Sequence, residues 1–600
     1  MKKSAKLSLD IKLVLVALVS VTWIFWPNHF EPFIFSKFIL LLLLGAWTLG
    51  LIIVKSREFS GKMQYPFLSL LFVGWFGFLA IRDDVFHTSL FGVQGRNMGL
   101  VSYLSLIVIS LYFVGSSSNQ LLDKTVLTFM ITCLGIALYG LLQVLKIDPF
   151  DWRLVYEGII GNFGNPNFMS VMGAFFSATS FYFVIKSKKF HLGTIGVAGI
   201  LISAIVIYFS KSTQGWIVLL IAVTPMLYLQ LMRFGKLAMG IFPTFIIAFS
   251  VLGGLAIFNI GPLRRILYQE SLSYRSDFWD IAWRMAKDNP LFGVGIDRYQ
   301  NFYREYKTLE QVRSVGAEDF SDSAHNLYLH FAATGGFLLA ILVLLINLFV
   351  AYRFVIAFNV NADSRLEIAL IFGIWLGIQG QNLISIDYPS IALWGWVFAG
   401  LGVGLSYKRE EKPVIKEIQL GRKYVGLLVS IVMTSLALFV VTPIANAQSF
   451  LRTGFYAYVS KGDSEAIRIK SDFLKDMESK DPGNPTLPIL SANSLFQDEA
   501  FKEAADASRR AIALDSHDYR SWWFLASSLE KLGKRVEAIE AREMTVKLSP
   551  FNAANLLELG KNQLANQDLS GARKSLEQIA KVDANSMEFQ ELTSLISQTP

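Results

Sequence analysis

Six hundred residues at 53% hydrophobic and 17% charged, with a mean hydropathy of +0.44, exclude an ordinary soluble chain, in which about 25% of residues are charged. The net charge of +8 is unevenly divided: residues 450–600 hold 19 Lys+Arg against 22 Asp+Glu and carry −3, which leaves +11 on residues 1–449. Basic residues interrupt apolar runs rather than lining one face, which argues against a nucleic-acid partner, and the single Cys133 excludes an internal disulfide or a multi-cysteine metal site.

In chain order, runs near the roughly 20 apolar residues that cross a bilayer fall at 11–27, 33–54, 66–81, 99–115, 125–145, 168–185, 193–210, 214–231, 237–258, 326–350, 366–384, 388–407 and 423–443. They predict 12–13 spanning helices, since only the tight break at Lys211-Ser212-Thr213-Gln214-Gly215 divides 193–231. Met1-Lys2-Lys3 before the first run is reminiscent of a signal peptide. No small-x-small cleavage site closes it, and Trp23, Trp26 and Pro27 follow, so this run is read as the first span. Lys and Arg collect in alternate gaps: Lys55/Arg57/Lys62, Lys186/Lys188/Lys189, Arg233/Lys236, Arg353/Arg365 and the cluster from Lys408 to Lys423. Basic residues mark cytoplasmic loops. The N-terminus is therefore expected inside, with the connection at 259–325 and the chain beyond 449 outside.

That connection carries Arg264, Arg265, Arg275, Arg284 and Arg298 among aromatic residues such as Trp279, Trp283 and Tyr299. Residues 273–288 have helical spacing, with Phe278, Ala282 and Met285 on one side and Arg275 one turn from Trp279. Such a helix suits an interface where a guanidinium fork holds phosphate and aromatics meet lipid or sugar. A plain amphipathic helix with snorkelling arginines has the same pattern. Gly293 and Gly295, in Asn289-Pro290-Leu291-Phe292-Gly293-Val294-Gly295, end the helix and permit close backbone approach. Without a preceding strand or a third glycine, the turn is not a dinucleotide fingerprint. His325 then stands where the chain re-enters the membrane, suited to taking a proton from a hydroxyl or orienting it, and His330 is read as structural.

From Pro482 the chain repeats at a period of 34: Ala492, Ala526 and Gly560 share one register, Ala504, Ala538 and Ala572 another, and Pro482, Ser516, Pro550 and Ala584 mark the turns. This is the tetratricopeptide period, with repeats at 485–518, 519–552 and 553–586. The expected fold is all-α: a polytopic membrane helix bundle over 1–448, a helical lead-in at 449–484 and an α-solenoid of tetratricopeptide repeats over 485–600. The repeats offer a concave surface to a protein partner, or pack as an appendage on the bundle.

Arg275, the 289–295 turn and the stretch HNLYLHFAATGG at 325–336, following a long outside loop, together resemble the O-antigen ligase/O-antigen polymerase superfamily of bacterial envelope glycosyltransferases. So do GRNMGLVSYL at 95–104, with Arg96, and GNFGNPNFM at 161–169, with Asn165 and Asn167. The likeness spans about 95–350, and members with appended tetratricopeptide repeats are similar in the tail as well. The resemblance implies transfer of a glycan from undecaprenyl diphosphate to an acceptor hydroxyl, on a lipid, a glycan or a protein, at the outer face of the bacterial cytoplasmic membrane. Arg275 and Arg96 would then bind the departing diphosphate, and His325 would orient or deprotonate the acceptor. Asn165, Asn167, Asn326, Gly293 and Gly295 would shape the turns. Many members carry Ser-Arg-Gly where this chain has Ser212-Thr213-Gln214-Gly215, which leaves Lys211 as the nearby cation for the donor. No metal or other cofactor is expected, because a lipid diphosphate is already a good leaving group. Asp83-Asp84 is read as a solvated pair offset by Arg82.

Within the same chemistry, a polysaccharide polymerase or a protein O-oligosaccharyltransferase are the alternatives. Outside it stand a lipid-linked glycan transporter and a non-catalytic scaffold. A transporter would carry charged or broken helices near the bilayer midplane, whereas the basic residues here cluster at helix ends and in one loop.

Overall fold

The computed structural model describes residues 8–27, 29–55, 59, 62–152, 156–187, 190–235, 252, 255, 260–261, 270–407, 416–457, 459 and 463–598. Among them the regular secondary structure is helical throughout, and helices are numbered over these residues. In the bundle they are α1 (Leu9–Trp23), α2 (Phe35–Val54), α3 (Gln64–Arg82), α4 (Phe86–Phe91), α5 (Leu100–Ser116), α6 (Asn119–Val144), α7 (Pro166–Lys186), α8 (Phe190–Phe209) and α9 (Gln214–Leu231). The long connection holds α10 (Glu270–Asp288), α11 (Tyr299–Tyr303) and α12 (Leu309–Val315); α13 (Leu327–Val360), α14 (Arg365–Asn382), α15 (Pro389–Leu405) and α16 (Lys416–Tyr456) follow.

Each expected span thus coincides with a helix, except that the run at 237–258 lies almost wholly outside the described residues, as do Arg57, Lys188, Lys189, Lys236, Arg264, Arg265, Lys408 and Arg409. Among the described residues, seven helices are long and apolar enough to cross a membrane: α2, α3, α6, α7, α9, α13 and Leu420–Phe455 of α16. Three shorter apolar helices, Leu100–Ser116, Gly193–Phe209 and Pro389–Leu405, stand beside them. The chain is a multi-pass membrane protein. Its outward surface is apolar, with Phe190 and Phe439 at 88% and 78% exposure, as a lipid-facing surface requires. Inside, Phe129 packs between Trp394 and Phe398 with ring centroids 4.7 and 5.1 Å away.

Several buried charged groups in the bundle are partnered, as burial demands. The Lys37 ammonium donates to the carbonyls of Ile24, Phe33 and Asn162 at 2.5, 2.9 and 2.8 Å. The Glu31 carboxylate accepts the amides of Phe33, Ile34 and Phe35 at the start of α2. Lys186 donates to Glu367 at 2.5 Å, where α7 ends and α14 begins.

α16 is 41 residues long and runs unbroken past position 448 toward the repeats. Then come α17 (Ser464–Lys480) and the pairs α18 (Thr486–Gln497) with α19 (Phe501–Leu514), α20 (Tyr519–Lys531) with α21 (Arg535–Leu548), and α22 (Ala553–Ala565) with α23 (Leu569–Asp583), closed by α24 (Met587–Ser597). This is the tetratricopeptide solenoid that the period predicts. Ala492, Ala504, Ala526, Ala538 and Ala572 are fully buried between paired helices, where a larger side chain would force them apart. The period also sets the caps: Asp518, Asn552 and Ser586, 34 apart, each accept amides of the helix they open.

Candidate functional site

Helix α10 buries Ile281, Ala282 and Met285 against Tyr299 and Tyr303, which sets Arg275 near its start at 7% exposure. The Arg275 guanidinium donates to the Ile384 carbonyl just beyond α14, and among the described residues it has no carboxylate partner. After α10 the chain turns back on α13. The Val294 amide donates to the Ala333 carbonyl at 2.8 Å, and the Phe337 amide to the Pro290 carbonyl at 2.9 Å. This seam is backbone on backbone. Gly293 (φ 66°) and Gly336 (φ 77°) make it possible, since a β-carbon on either would overlap main chain of the other segment. Gly336 also kinks α13 there.

Gly295 lies against Asp83, whose Oδ2 accepts the Ile296 amide at 2.9 Å and the Ser89 hydroxyl at 2.7 Å. Asp83 Oδ1 accepts the Val85 amide at 3.0 Å and Arg298 at 3.3 Å. Asp83 is therefore a buried structural acceptor, and Arg82 covers the Phe292 ring at 3.9 Å instead of offsetting it. This corrects the solvated-pair reading, which holds only for the exposed Asp84.

The next residue, Asp297 (φ 60°), turns its carboxylate the other way. Oδ2 accepts the Val93 amide at 2.7 Å, while Oδ1 pairs with Arg96 and lies 3.2 Å from His330 Nε2. Arg96, 5% exposed, also donates to the Asp322 carbonyl at 3.1 Å. Asn326 caps α13 by accepting the Leu329 amide at 3.0 Å, and donates to the Leu383 carbonyl at 3.1 Å. His325, one residue earlier and left-handed (φ 47°), has its ring 5.6 Å from Phe278 of α10 and a buried Nδ1 without a hydrogen-bond partner. A narrow cavity of about 30 Å³, room for a water or two, opens among Arg96, Asp297, His330, Asn326, Tyr103 and Asp387.

Burial, reinforced by the charge of Arg275 and then of Arg96 and His330, lowers the His325 pKa to about 4, against an opposing pull from Asp322. Its imidazole is neutral at ordinary pH and free to accept a proton. Burial also lowers Arg275 to about 10, so it stays cationic. Asp387 is pushed up to about 6 by burial, only partly offset by the Tyr103 hydroxyl (2.6 Å) and Arg96. Burial would raise Asp297, but Arg96, His330 and the Val93 amide hold it below the usual carboxylate range. The site thus offers a neutral base, a cation held, among the described residues, by a carbonyl, and a second cation balanced by a carboxylate.

Of the expected residues, Arg96 and Asn326 line the cavity. His325, next to Asn326, feels the charge of Arg275, and Gly293 and Gly295 shape the turn that leads to Asp297, but these four do not line it. Lys211, Asn165 and Asn167 sit on another seam. Asn165 caps α7 through the Asn167 amide at 2.8 Å, and Asn167 accepts the Ser212 hydroxyl at 2.7 Å. Lys211 is exposed, its ammonium 5.6 Å from the Tyr208 ring, and does not line the cavity. Gln214 beside it is buried with both amide atoms unpartnered. Close contacts of Gly373 with Ala222 and of Gly377 with Val218 run α9 antiparallel to α14, so the turn at 211–214 faces the α14 end near Ile384. Sequence reasoning missed Asp297 and Asp387 and set His330 aside. The one available signal was an Asp-Arg pair directly after a two-glycine turn.

Residues 198–344 match a family profile described as O-Antigen ligase. That range holds Lys211, Arg275, Gly293, Gly295, His325 and Asn326; Arg96, Asn165 and Asn167 fall before it. A search of curated proteins returns no match. Among solved structures, "Crystal structure of APC/C hetero-tetramer Cut9-Hcn1" overlaps at a TM-score of 0.21 and 11% identity, over 83% of this chain and 89% of that one, too low an overlap to bear on fold or function. The family match, confined to residues 198–344, supports a glycan ligase or polymerase type of activity.

Proposed function

We propose that this membrane protein moves a glycan from undecaprenyl diphosphate to an acceptor hydroxyl at the outer face of a bacterial cytoplasmic membrane, without a metal ion. The observation that carries this reading is the juxtaposition of a neutral, buried His325 with a buried Arg275 that has no carboxylate partner among the described residues. The acceptor hydroxyl gives its proton to His325 as its oxygen bonds to the anomeric carbon. The bond from that carbon to the diphosphate oxygen breaks, and its electron pair leaves with the lipid diphosphate. Negative charge grows on that oxygen, where a fixed guanidinium stabilises it more in the transition state than in the ground state. Arg275 fills this role. Arg96, its charge balanced by Asp297, supports the donor less directly, and Lys211 adds positive potential at the rim. Residues 1–448 form the transferase unit, 449–484 the lead-in and 485–600 the repeats.

A polymerase and a protein O-oligosaccharyltransferase run the same step with other acceptors, so the missing product identifies the acceptor. The test is complementation of a deletion strain with wild type, Arg275→Ala or His325→Ala at matched membrane levels. Loss of transfer with accumulation of undecaprenyl-linked glycan is expected. Normal transfer by both variants overturns the assignment in favour of a scaffold or transporter. A reporter fused after Ser449 tests the face: activity in the cytoplasm overturns the outer-face reading.

A further inference from the structure

The repeats do not hang free of the bundle. Together with the lead-in they grip it along one edge, and two of the gripping carboxylates stand one 34-residue period apart. Asp481 and Asp515, 34 apart, end α17 and α19. Asp481 Oδ1 meets His87 Nε2 of α4 at 2.8 Å. Asp515 Oδ1 accepts Arg298 at 2.7 Å, and its Oδ2 accepts Asn301 at 2.6 Å. Further along the edge, Asn552 donates to Glu318 at 2.6 Å, and Arg313 donates to the carbonyls of Lys581 and Val582 at 2.5 and 2.9 Å. His517 stacks on Phe302, with centroids 4.6 Å apart.

One of these contacts adjoins the cavity through the next residue in the chain. Arg298 is bridged between Asp83 of the bundle and Asp515 of the repeats, and all three side chains are buried. The neighbouring Asp297 is the carboxylate that holds Arg96 and His330 at the cavity. Consecutive residues thus face opposite ways, so whatever fixes Arg298 fixes the aim of Asp297. With Asp515 gone, Arg298 would keep, among the described residues, the longer 3.3 Å contact to Asp83 and its place over the Phe302 ring at 5.5 Å. The turn would then lose its anchor on the repeat side.

We propose that Asp515 of the repeat domain is a positioning residue for the transfer site, acting through Arg298 on Asp297, and that the repeats are an intramolecular clamp on the 293–298 turn. This rests on the glycan-transfer reading for its effect on rate, but not for the clamp itself. The test uses the full-length protein in proteoliposomes with a lipid-linked glycan donor, comparing Asp515→Asn with Asp481→Asn, the equivalent carboxylate that grips α4 instead. Asp515→Asn is expected to lower kcat about tenfold at unchanged KM for the donor, because small misplacements of supporting groups act on rate. Asp481→Asn is expected to stay within about twofold of wild type, and Asp515→Asn combined with Asp297→Asn is expected to be no worse than Asp297→Asn alone. Equal losses in the two single variants, or additive losses in the double, overturn the positioning role.

Hydrogen exchange separates the clamp from the chemistry. Faster exchange of the Ile296 amide in Asp515→Asn, and not in Asp481→Asn, supports the clamp even where wild type transfers no glycan, an outcome that overturns the glycan-transfer reading alone. Unchanged exchange at 293–298 in Asp515→Asn overturns the clamp.

Discussion

In the repeat domain, residues 34 apart do the same work: Ala504, Ala538 and Ala572 seat helix pairs, while Asp518, Asn552 and Ser586 cap the helices that follow. Around His325 no period relates anything. Asp322 and His330 flank it in the chain, Arg96, Asp297 and Ile384 arrive from separated stretches, and Asp515 reaches the turn beside Asp297 from the repeats. A solenoid needs only neighbour-to-neighbour packing, and one solution is reused for each unit. The site needs each partner once, in one place, and a change at any of them is not compensated by a copy elsewhere. Substitutions are therefore expected to act locally in the repeats and as a unit in the site.

The largest effect expected is that of Gly293→Val. A β-carbon there overlaps the Thr334–Gly335 main chain at the α13 kink, so the seam opens and transfer falls by more than about 10²-fold. Proteolysis should show the turn nicked while the repeats stay resistant; simultaneous loss of both would break the comparison. Arg275→Ala is next, with a fall in kcat of about 10²–10³-fold, and His325→Ala one of roughly 10²–10⁴-fold, each measured as donor turnover. Neither should change the thermal unfolding of the repeats.

His325 also sharpens the contrast through pH. Its pKa lies near 4 rather than 6.5 because burial, then Arg275, disfavours the imidazolium. Between those values the unfolded chain binds a proton that the folded chain refuses, so stability rises as pH increases through this window. The acid limb of kcat/KM is expected near pH 4, and a limb near 6.5 would show an exposed imidazole.

In the repeats, Arg542 is 2% exposed, and its guanidinium forks onto Glu530 at 2.7 Å to both oxygens. Arg542→Ala is expected to cost about 3–5 kcal/mol locally, by leaving a carboxylate unpaired in a mostly buried place. Cleavage should appear first within 519–565. The smallest effect is that of Lys211→Ala, within about twofold in turnover, because an exposed charge is screened by solvent.

Much of the fold could be read before any coordinates. Apolar runs mark helices because the transfer free energy of a segment is a sum over its own residues, and the 34-residue period marks the solenoid because each unit repeats the same packing. Arg275 and His325 were legible as candidates because charged and polar residues stand out beside apolar runs, and Arg96 and Asn326 through the resemblance to the O-antigen ligase superfamily. Asp387 was not, since nothing within a few residues distinguishes it from a surface carboxylate, and Asp297 carried only the weak signal of the Gly-x-Gly turn before it. Asp83 was misread as solvated for the same reason, because the Ile296 amide and Arg298 that bury it lie more than two hundred residues away.

By itself, then, the sequence determined a multi-pass helical bundle, a three-repeat tail and the residue types able to hold a diphosphate and take a proton. Only the tertiary structure decided which of those residues meet: that Arg96 pairs with a carboxylate while Arg275, among the described residues, does not, that His330 faces the cavity, and that a repeat carboxylate reaches the site turn. Helix formation and apolar burial are local or additive quantities. The charge state and aim of a buried side chain depend on which distant groups the fold sets beside it.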